Sequence, residues 1–328
     1  MRPLSRPQAV AAAAGAGLVL VLPVLLPNPY LIGVATLASI YAVLALTWDL
    51  LAGYTGEVNL GHAVFFGAGA YVSAFLNPRL GVPPIVCIPL GGVVALAVGL
   101  LVGIPCLRLR GPYLGTTTFV LGAVLYAVAL SQHQLTGGEE GIHGIQPLVE
   151  GELANYYVAA GLFLAVFALL GWLVRSSFGL TVRAIREHDA AAQAVGINVT
   201  AYKLVAYSLS AFLAGVAGSL YAHVLHLVVP DVLSIALTFT IVTMVAVGGI
   251  GTLIGPVIGV YALTFLQQAL ARWADYTLLL YGIGLLIIVL FLPEGLWGLL
   301  RRLAAAVPVW RPRSGEAAAR EREVAGLP

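Results

Sequence analysis

Residues 175–203 read RSSFGLTVRAIREHDAAAQAVGINVTAYK, the longest polar island in the chain. On either side lie apolar runs, 154–174 and 203–226, each long enough as helix to cross a hydrocarbon layer of about 30 Å. The island gathers Arg175, Arg183, Arg186, Glu187, His188, Asp189 and Lys203 in a protein where only 9% of residues are charged. Lys203 is the sole lysine. A chain this apolar that keeps one mixed-charge segment outside the lipid has in it a surface with which to grip something.

Outward from the island the apolar runs recur. A length of 328 residues with 60% hydrophobic content excludes a soluble globular domain, and mean hydropathy is +0.99. The runs are too long for the alternating segments of a β-barrel. Ten spans are expected: 8–27, 30–50, 60–77, 83–105, 112–131, 154–174, 203–226, 233–249, 254–271 and 276–298. Basic residues orient them. Arg2 and Arg6, Arg108 and Arg110, the island, and the tail from Arg301 fall on one side, which is then cytoplasmic. Glu139, Glu140, Glu150 and Glu152 fall on the other, with Arg79 and Arg272 as exceptions. The expected fold class is therefore all-α, a polytopic transmembrane helical bundle of about ten spans with both termini cytoplasmic. It comprises a membrane domain, 1–300, whose central loop is 175–203, and a cytoplasmic tail, 301–328, frayed beyond Pro312. No small-residue cleavage site follows the first apolar run, so no cleaved signal is expected. Cys87 and Cys106 lie 19 positions apart in or beside one span, too far along a helix for a disulfide, and read as small apolar fillers.

Two stretches interrupt the spans. LAGYTGEVNLGHAVFFGAGAY places Gly53, Gly56 and Gly61 between two spans, with Asp49 and Glu57 close by. VGGIGTLIGPVIG holds Gly248, Gly249, Gly251, Gly255, Pro256 and Gly259. Irregular backbone at membrane depth survives only inside protein or beside a wet cavity. Such breaks therefore read either as pathway linings or as tight turns with close helix packing. The pairs Gly99/Gly103, Ala211/Gly215 and Gly255/Gly259 have the small-xxx-small spacing of closely approaching helices.

No catalytic set emerges. The chain lacks G-x-x-x-x-G-K-[ST], H-E-x-x-H and G-x-S-x-G, so it is not itself a P-loop ATPase. His223 and His226 share a helix face, but without a nearby carboxylate before Asp231 they read as interfacial histidines and not as metal ligands. Asp49 is either an intramembrane ion site or an interfacial residue after Trp48. Asn59 is placed to cap the following helix, beside Glu57 and His62. Within the island, Val182, Ile185, Ala192 and Val195 fall near one helical face, and Arg183 is spaced to pair with Glu187. Gly179 precedes this expected helix and Gly196 stops it. Set against a solvated connector, the segment is too helical and too alanine-rich for an idle link.

The strings GYTGEVNLGHAVFFGAGAYVSA (53–74), RLRGPYLGTTTFVLG (108–122), TGGEEGIHGI (136–145), FGLTVRAIREHDAAAQAVGINVTAYKLVAYSLSAFLAGVAGSLYA (178–222) and VGGIGTLIGPVIG (247–259) together resemble the LivM-type permease subunit of branched-chain amino acid ABC importers. The resemblance runs in order over most of 30–297. It implies a permease that forms half of a translocation pore with a LivH-type permease. Two cytoplasmic ATPase subunits and a periplasmic binding protein complete the importer, in a bacterial inner membrane. ATP and Mg would sit on the ATPases, with no cofactor, metal or nucleic acid on this chain. It also implies a coupling helix at Arg183 to Gly196. There DAAAQAVG (189–196) resembles the EAA-type signature, with Asp189 in place of glutamate. The ATPase-coupling residues are then Arg183, Arg186, Glu187, Asp189, Ala190, Ala191 and Gly196. The candidate pathway or gate residues are Gly53, Gly56, Glu57, Asn59, His62, Gly248, Gly249, Gly251, Gly255 and Pro256. Permeases for urea or short amides are similar enough to be the alternative cargo class. A stand-alone secondary transporter or channel would carry an ionisable residue deep in a span, whereas this chain keeps nearly all its charges at span ends.

Overall fold

A computed structural model describes residues 6–26, 28–107, 112–270 and 295–306. Most of the expected span 276–298, together with Arg108, Arg110, Arg272 and the tail beyond 306, lies outside the described residues. Among the described residues the chain is all-α apart from one two-residue ladder. The apolar runs become α1 (Arg6–Leu25), α2 (Pro29–Asp49), α3 (Ala63–Leu80), α4 (Pro84–Cys106) and α5 (Pro112–Ser131). After a single-turn α6 (His133–Thr136) come α7 (Glu152–Arg175), α10 (Val199–Leu225), α11 (Ile235–Gly248) and α12 (Gly255–Leu270). The island supplies α8 (Ser177–Glu187) and α9 (Asp189–Ala194), and α13 covers Gly295–Ala306.

Five of these helices are long and apolar enough to cross a membrane: α2 with its extension to Thr55, α4, α5, α7 and α10. They are five of the ten expected spans. α11 and α12, with 14 and 16 residues, rise only about 21–24 Å. Their hairpin turn, 249–254, packs against the end of α2.

Local chemistry sets the helix ends. Pro29 occupies the first turn of α2, where its missing N–H costs nothing, and the Asn28 side chain accepts from the Tyr30 N–H at 3.0 Å. α3 ends on Gly81 at φ 65°, a left-handed stop. α10 begins where the Asn198 side chain accepts from the Ala201 N–H at 3.1 Å. Cys87 and Cys106 both lie buried and unpaired in α4.

α10 is the central strut, packed on α4, α3 and α2. A Cβ on Gly99 would overlap Ala211, one on Gly103 would overlap Tyr207, and one on Gly69 would overlap the Gly215 backbone. These small residues let three helices touch nearly backbone to backbone, as the small-xxx-small spacing predicts. Phe65 then meets Tyr207 edge to face at 5.4 Å.

The helices alternate in direction, so the bundle has two ends. At the end remote from the island, β1 (Ile142–His143) pairs with β2 (Leu227–Val228) just beyond α10. There Asn77 accepts from the Gln146 N–H at 2.7 Å, and Arg79 donates to the Gln134 carbonyl at 2.9 Å. His223 and His226 place Nδ1 at 2.7 Å and 3.2 Å from the carbonyls of Gln146 and Ile145. His223 is fully buried, so it is a strap for the 142–146 segment and not the interfacial residue expected. Gly295 packs on Gly248 and Gly249, which returns the chain to the island end.

Single cysteines at positions 140 and 188, both exposed and on opposite ends of the bundle, should react with a membrane-impermeant maleimide from opposite sides of the membrane when Cys87 and Cys106 are replaced. Labelling of both from one side would contradict the alternation.

Candidate functional site

The last turn of α2 is not α-helical. Leu50–Thr55 form a π-helical turn that stops on Gly56 at φ 78°. π-Turns widen the helix, release carbonyl groups and concentrate at functional positions. All six residues of this turn are buried, so what satisfies them matters.

The island folds against it. The single helix expected over the island is instead two, broken at His188, whose backbone is extended (φ −152°, ψ 92°). α8 directs Val182 and Ile185 inward, and α9 directs Ala192 inward. Val195, expected on the same face, is 76% exposed, because α9 has already ended. Its end is a Schellman arrangement. Ile197 N–H reaches the Ala192 carbonyl at 3.1 Å, Gly196 N–H reaches Gln193 at 3.0 Å, and Gly196 has φ 85°. Ile185, Ala192 and Val199 form a small apolar core beneath the two helices. Gly179 lies inside α8, not before it, tight against the Val174 backbone where a side chain would clash.

Charged side chains then bolt the island to the π-turn. Arg186 donates from Nη1 to the Gly53 carbonyl. Arg183 lies with Cζ 5.0 Å from the centre of the Tyr54 ring, a cation–π contact worth about 0.5–1 kcal/mol where exposed. This replaces the expected Arg183–Glu187 pair, which is not among the ion pairs of the described residues. Lys203, at the start of α10, reaches Glu57 Oε1 at 2.6 Å and Asp189 Oδ2 at 2.7 Å. Its side chain is 11% exposed and that of Glu57 16%, while Asp189 is half open at 47%.

The second interruption closes the cluster from the other side. Asp49 is buried and accepts from the Gly251 N–H at 2.7 Å. One carboxylate oxygen, Oδ1, serves the backbone of the 249–254 turn, and Oδ2 is buried without a hydrogen-bond partner among the described residues. Gly53 is obligatory here, because a Cβ would overlap both the Asp49 carboxylate and the Gly251 nitrogen. Gly249 and Gly251 take positive φ in the turn. Gly248 and Gly255 allow α11 and α12 to touch, and Pro256 sits buried in the first turn of α12.

Thus the structure brings together Arg183, Arg186 and Asp189 with Gly53, Gly56, Glu57 and Gly251, which sequence had sorted into two groups. Gly248, Gly249, Gly255 and Pro256 are packing and turn residues. Glu187, Ala190 and Ala191 face outward. Asn59 is not the cap of α3. Its Oδ1 accepts from the Gly61 N–H at 2.9 Å, closing a turn before the helix. The start of α3 is served from elsewhere: Thr238 accepts from the Ala63 N–H at 3.0 Å and Thr118 from the Leu60 N–H at 3.1 Å. His62 is buried with Nε2 at 3.0 Å from Thr47 Oγ1, and Trp48 donates to the Asn59 carbonyl at 2.8 Å. Tyr54, Thr118 and Thr238 carry no local signal that marks them. Lys203 does, as the sole lysine. The site holds no nucleophile–base pair, and no metal-ligating group of side chains occurs among the described residues.

A family model described as branched-chain amino acid transport system / permease component matches residues 30–290. The high-affinity branched-chain amino acid transport system permease protein LivM of Salmonella typhimurium is 29% identical, over 87% of this chain and 73% of its own length. The Escherichia coli K12 protein of the same name is 29% identical, over 81% and 69%. A probable LivH permease protein of Methanocaldococcus jannaschii is 27% identical, over 83% and 94%. No solved structure matches the chain.

Substituting Gly53→Ala should push the Asp49 carboxylate off the Gly251 N–H, raising amide hydrogen exchange at 249–254 by about tenfold, the loss of one buried hydrogen bond to a charged acceptor. Unchanged exchange there would show that the carboxylate does not hold the turn.

Proposed function

The chain belongs to the family of branched-chain amino acid transport system permease components, and we propose that the cluster joining the π-turn to the island is where it receives the motion of separate ATPase subunits. It is a permease subunit of an ABC importer for branched-chain amino acids. In this reading it forms half of the pore beside a LivH-type permease in the bacterial inner membrane. Two cytoplasmic ATPases bind ATP and Mg in its place, and a periplasmic protein delivers the amino acid. The bundle crosses the bilayer about ten times with both termini cytoplasmic. The return of Gly295 to the island end supports that topology, as does the arginine content of the island.

The outward surface of the island suits a docking helix. Ala190 and Ala191 are small and exposed, and Leu180 and Val195 are 60% and 76% exposed. Glu187 and His188 rim them. A compact apolar patch with a charged rim is what a helix entering a groove presents. The observation that carries the reading is Lys203. One ammonium ties α9, which bears the docking surface, to the segment after α2 and to α10 itself. A push on α9 therefore cannot move it alone. It moves the end of α2, and through Asp49 the α11–α12 turn, with it.

Lys203→Met leaves Glu57 and Asp189 facing each other without their cation. A buried pair would cost about 3–5 kcal/mol to break. With Asp189 half exposed, solvent screening brings the cost below that. The assembled importer carrying this change should lose most ATP hydrolysis stimulated by the loaded binding protein in proteoliposomes, with assembly intact, and Lys203→Arg should recover a large part of it. Full stimulation in the methionine variant would sink the coupling role.

A further inference from the structure

At the end of the bundle remote from the island, a cavity of about 520 Å³ opens between α2, α3, α5, α10 and the start of α11. That is within the range of small-molecule sites. Its floor is aromatic. The Tyr41 and Tyr221 rings stack at 6.5 Å, and Phe66 meets Tyr221 edge to face at 5.2 Å. Its mouth is anionic. Asp231 is exposed, and its Oδ1 accepts from the Tyr126 hydroxyl at 3.2 Å. Glu139 lies near enough to act on the same hydroxyl electrostatically. No cation among the described residues stands within ion-pair distance of Asp231. Beside it α11 begins. Ser234 caps the helix by accepting from the Leu237 N–H at 3.1 Å, and Ile235 and Ala236, its first two residues, line the same cavity.

We propose that this cavity is a binding site in the permease itself for the α-amino acid cargo, with the ammonium held by Asp231 and the tyrosine rings. The inference rests on the amino-acid importer reading and adds to it a site on this chain. The chemistry is directional. A solvent-facing carboxylate that has no counter-ion among the described residues, lining the same cavity as Tyr41 and Tyr221, suits a small organic cation. The positive end of α11 is placed for a carboxylate on the same molecule. Ile235 and Leu237 supply apolar wall for a branched side chain. A cargo leaving its delivery protein as a zwitterion thus meets a partner for each charge before it enters the bundle. A purely apolar solute would leave Asp231 without a partner, and an anion would be repelled by it.

The test is saturation-transfer NMR on the complete importer complex in nanodiscs, without the binding protein. Three probes share one branched skeleton: leucine, 3-methylbutan-1-amine, which lacks the carboxylate, and 4-methylpentanoate, which lacks the ammonium. Leucine and the amine should receive saturation and 4-methylpentanoate should not. Asp231→Asn, nearly isosteric, should weaken leucine binding by about tenfold, the loss of one charge-assisted contact. Tyr126→Phe, which keeps the ring and the carboxylate, should retain it. Equal binding of leucine and 4-methylpentanoate, or leucine binding unchanged in Asp231→Asn, overturns the proposal. Stimulation of ATP hydrolysis by a binding protein loaded with branched-chain amino acid reports the importer reading separately. Stimulation without saturation of leucine removes the cavity and leaves the importer. Leucine saturation without stimulation by any branched-chain amino acid does the reverse.

Discussion

An apolar bundle that breaks its helices must find a partner for every backbone group the breaks release, since lipid offers none. In this protein the two largest breaks, the π-turn at Leu50–Thr55 and the turn at 249–254, are brought side by side and supply part of the answer to each other. Asp49 serves Gly251, and the absence of a side chain at Gly53 makes room for that bond. The polar island adds a donor for the Gly53 carbonyl from Arg186, and Lys203 pairs with the Glu57 carboxylate just beyond the turn. The island is therefore part of the bundle's backbone accounting as well as its surface. Remove it, and buried carbonyls lose donors; remove the breaks, and the island loses its seat.

That mutual dependence is what makes the cluster suited to transmission. A docked helix on a solvated loop would absorb a displacement by bending its own linker. Here α8 and α9 are fixed by an apolar pair of clusters beneath them, a cation–π contact at Tyr54 and a shared ammonium at Lys203. Between the arginines that grip α2 and the alanines that face outward, the helix breaks at His188. Packed elements of this kind change by discrete steps and not by continuous strain. With Asp189 tied to Lys203 just past that break, the outward face and the arginine side are both anchored to the bundle.

Much of this was legible in the sequence, and the losses have physical causes. Helix ranges came through because apolar runs and glycine or proline punctuation act locally: Gly196 stops a helix where expected, and the gap expected between 27 and 30 falls at Asn28–Pro29. The inward face of the island was readable from period alone for Val182, Ile185 and Ala192. Val195 was misread because period assumes the helix continues, and the Schellman end at Gly196 comes first. Asn59 was misread because capping by a distant threonine leaves no trace beside the helix it caps. That residues of the coupling and gate groups meet in space was hidden for a similar reason. Lys203 lies 146 positions after Glu57, and nothing local announces that the two meet. The only available hint was scarcity, a single lysine in the chain.

Two helices, α2 and α10, run between the clamp and the aromatic cavity, and they pack on each other. α2 carries Tyr41 at the cavity and Asp49 and Tyr54 at the clamp. α10 carries Lys203 at the clamp and Tyr221 at the cavity, 18 residues and about 27 Å away along one continuous helix. The cavity floor is built across this same pair, where the Tyr41 and Tyr221 rings stack. Any relative slide or rotation of α2 and α10 imposed at the clamp must therefore change the floor. The faces of α10 around Gly215 and Gly218 meet α4 and α3 nearly backbone to backbone, while Tyr207 seats against Gly103 and the Ser219 hydroxyl donates to the Gly69 carbonyl at 2.8 Å. A displacement of α10 therefore has to carry α3 and α4 with it or break those contacts.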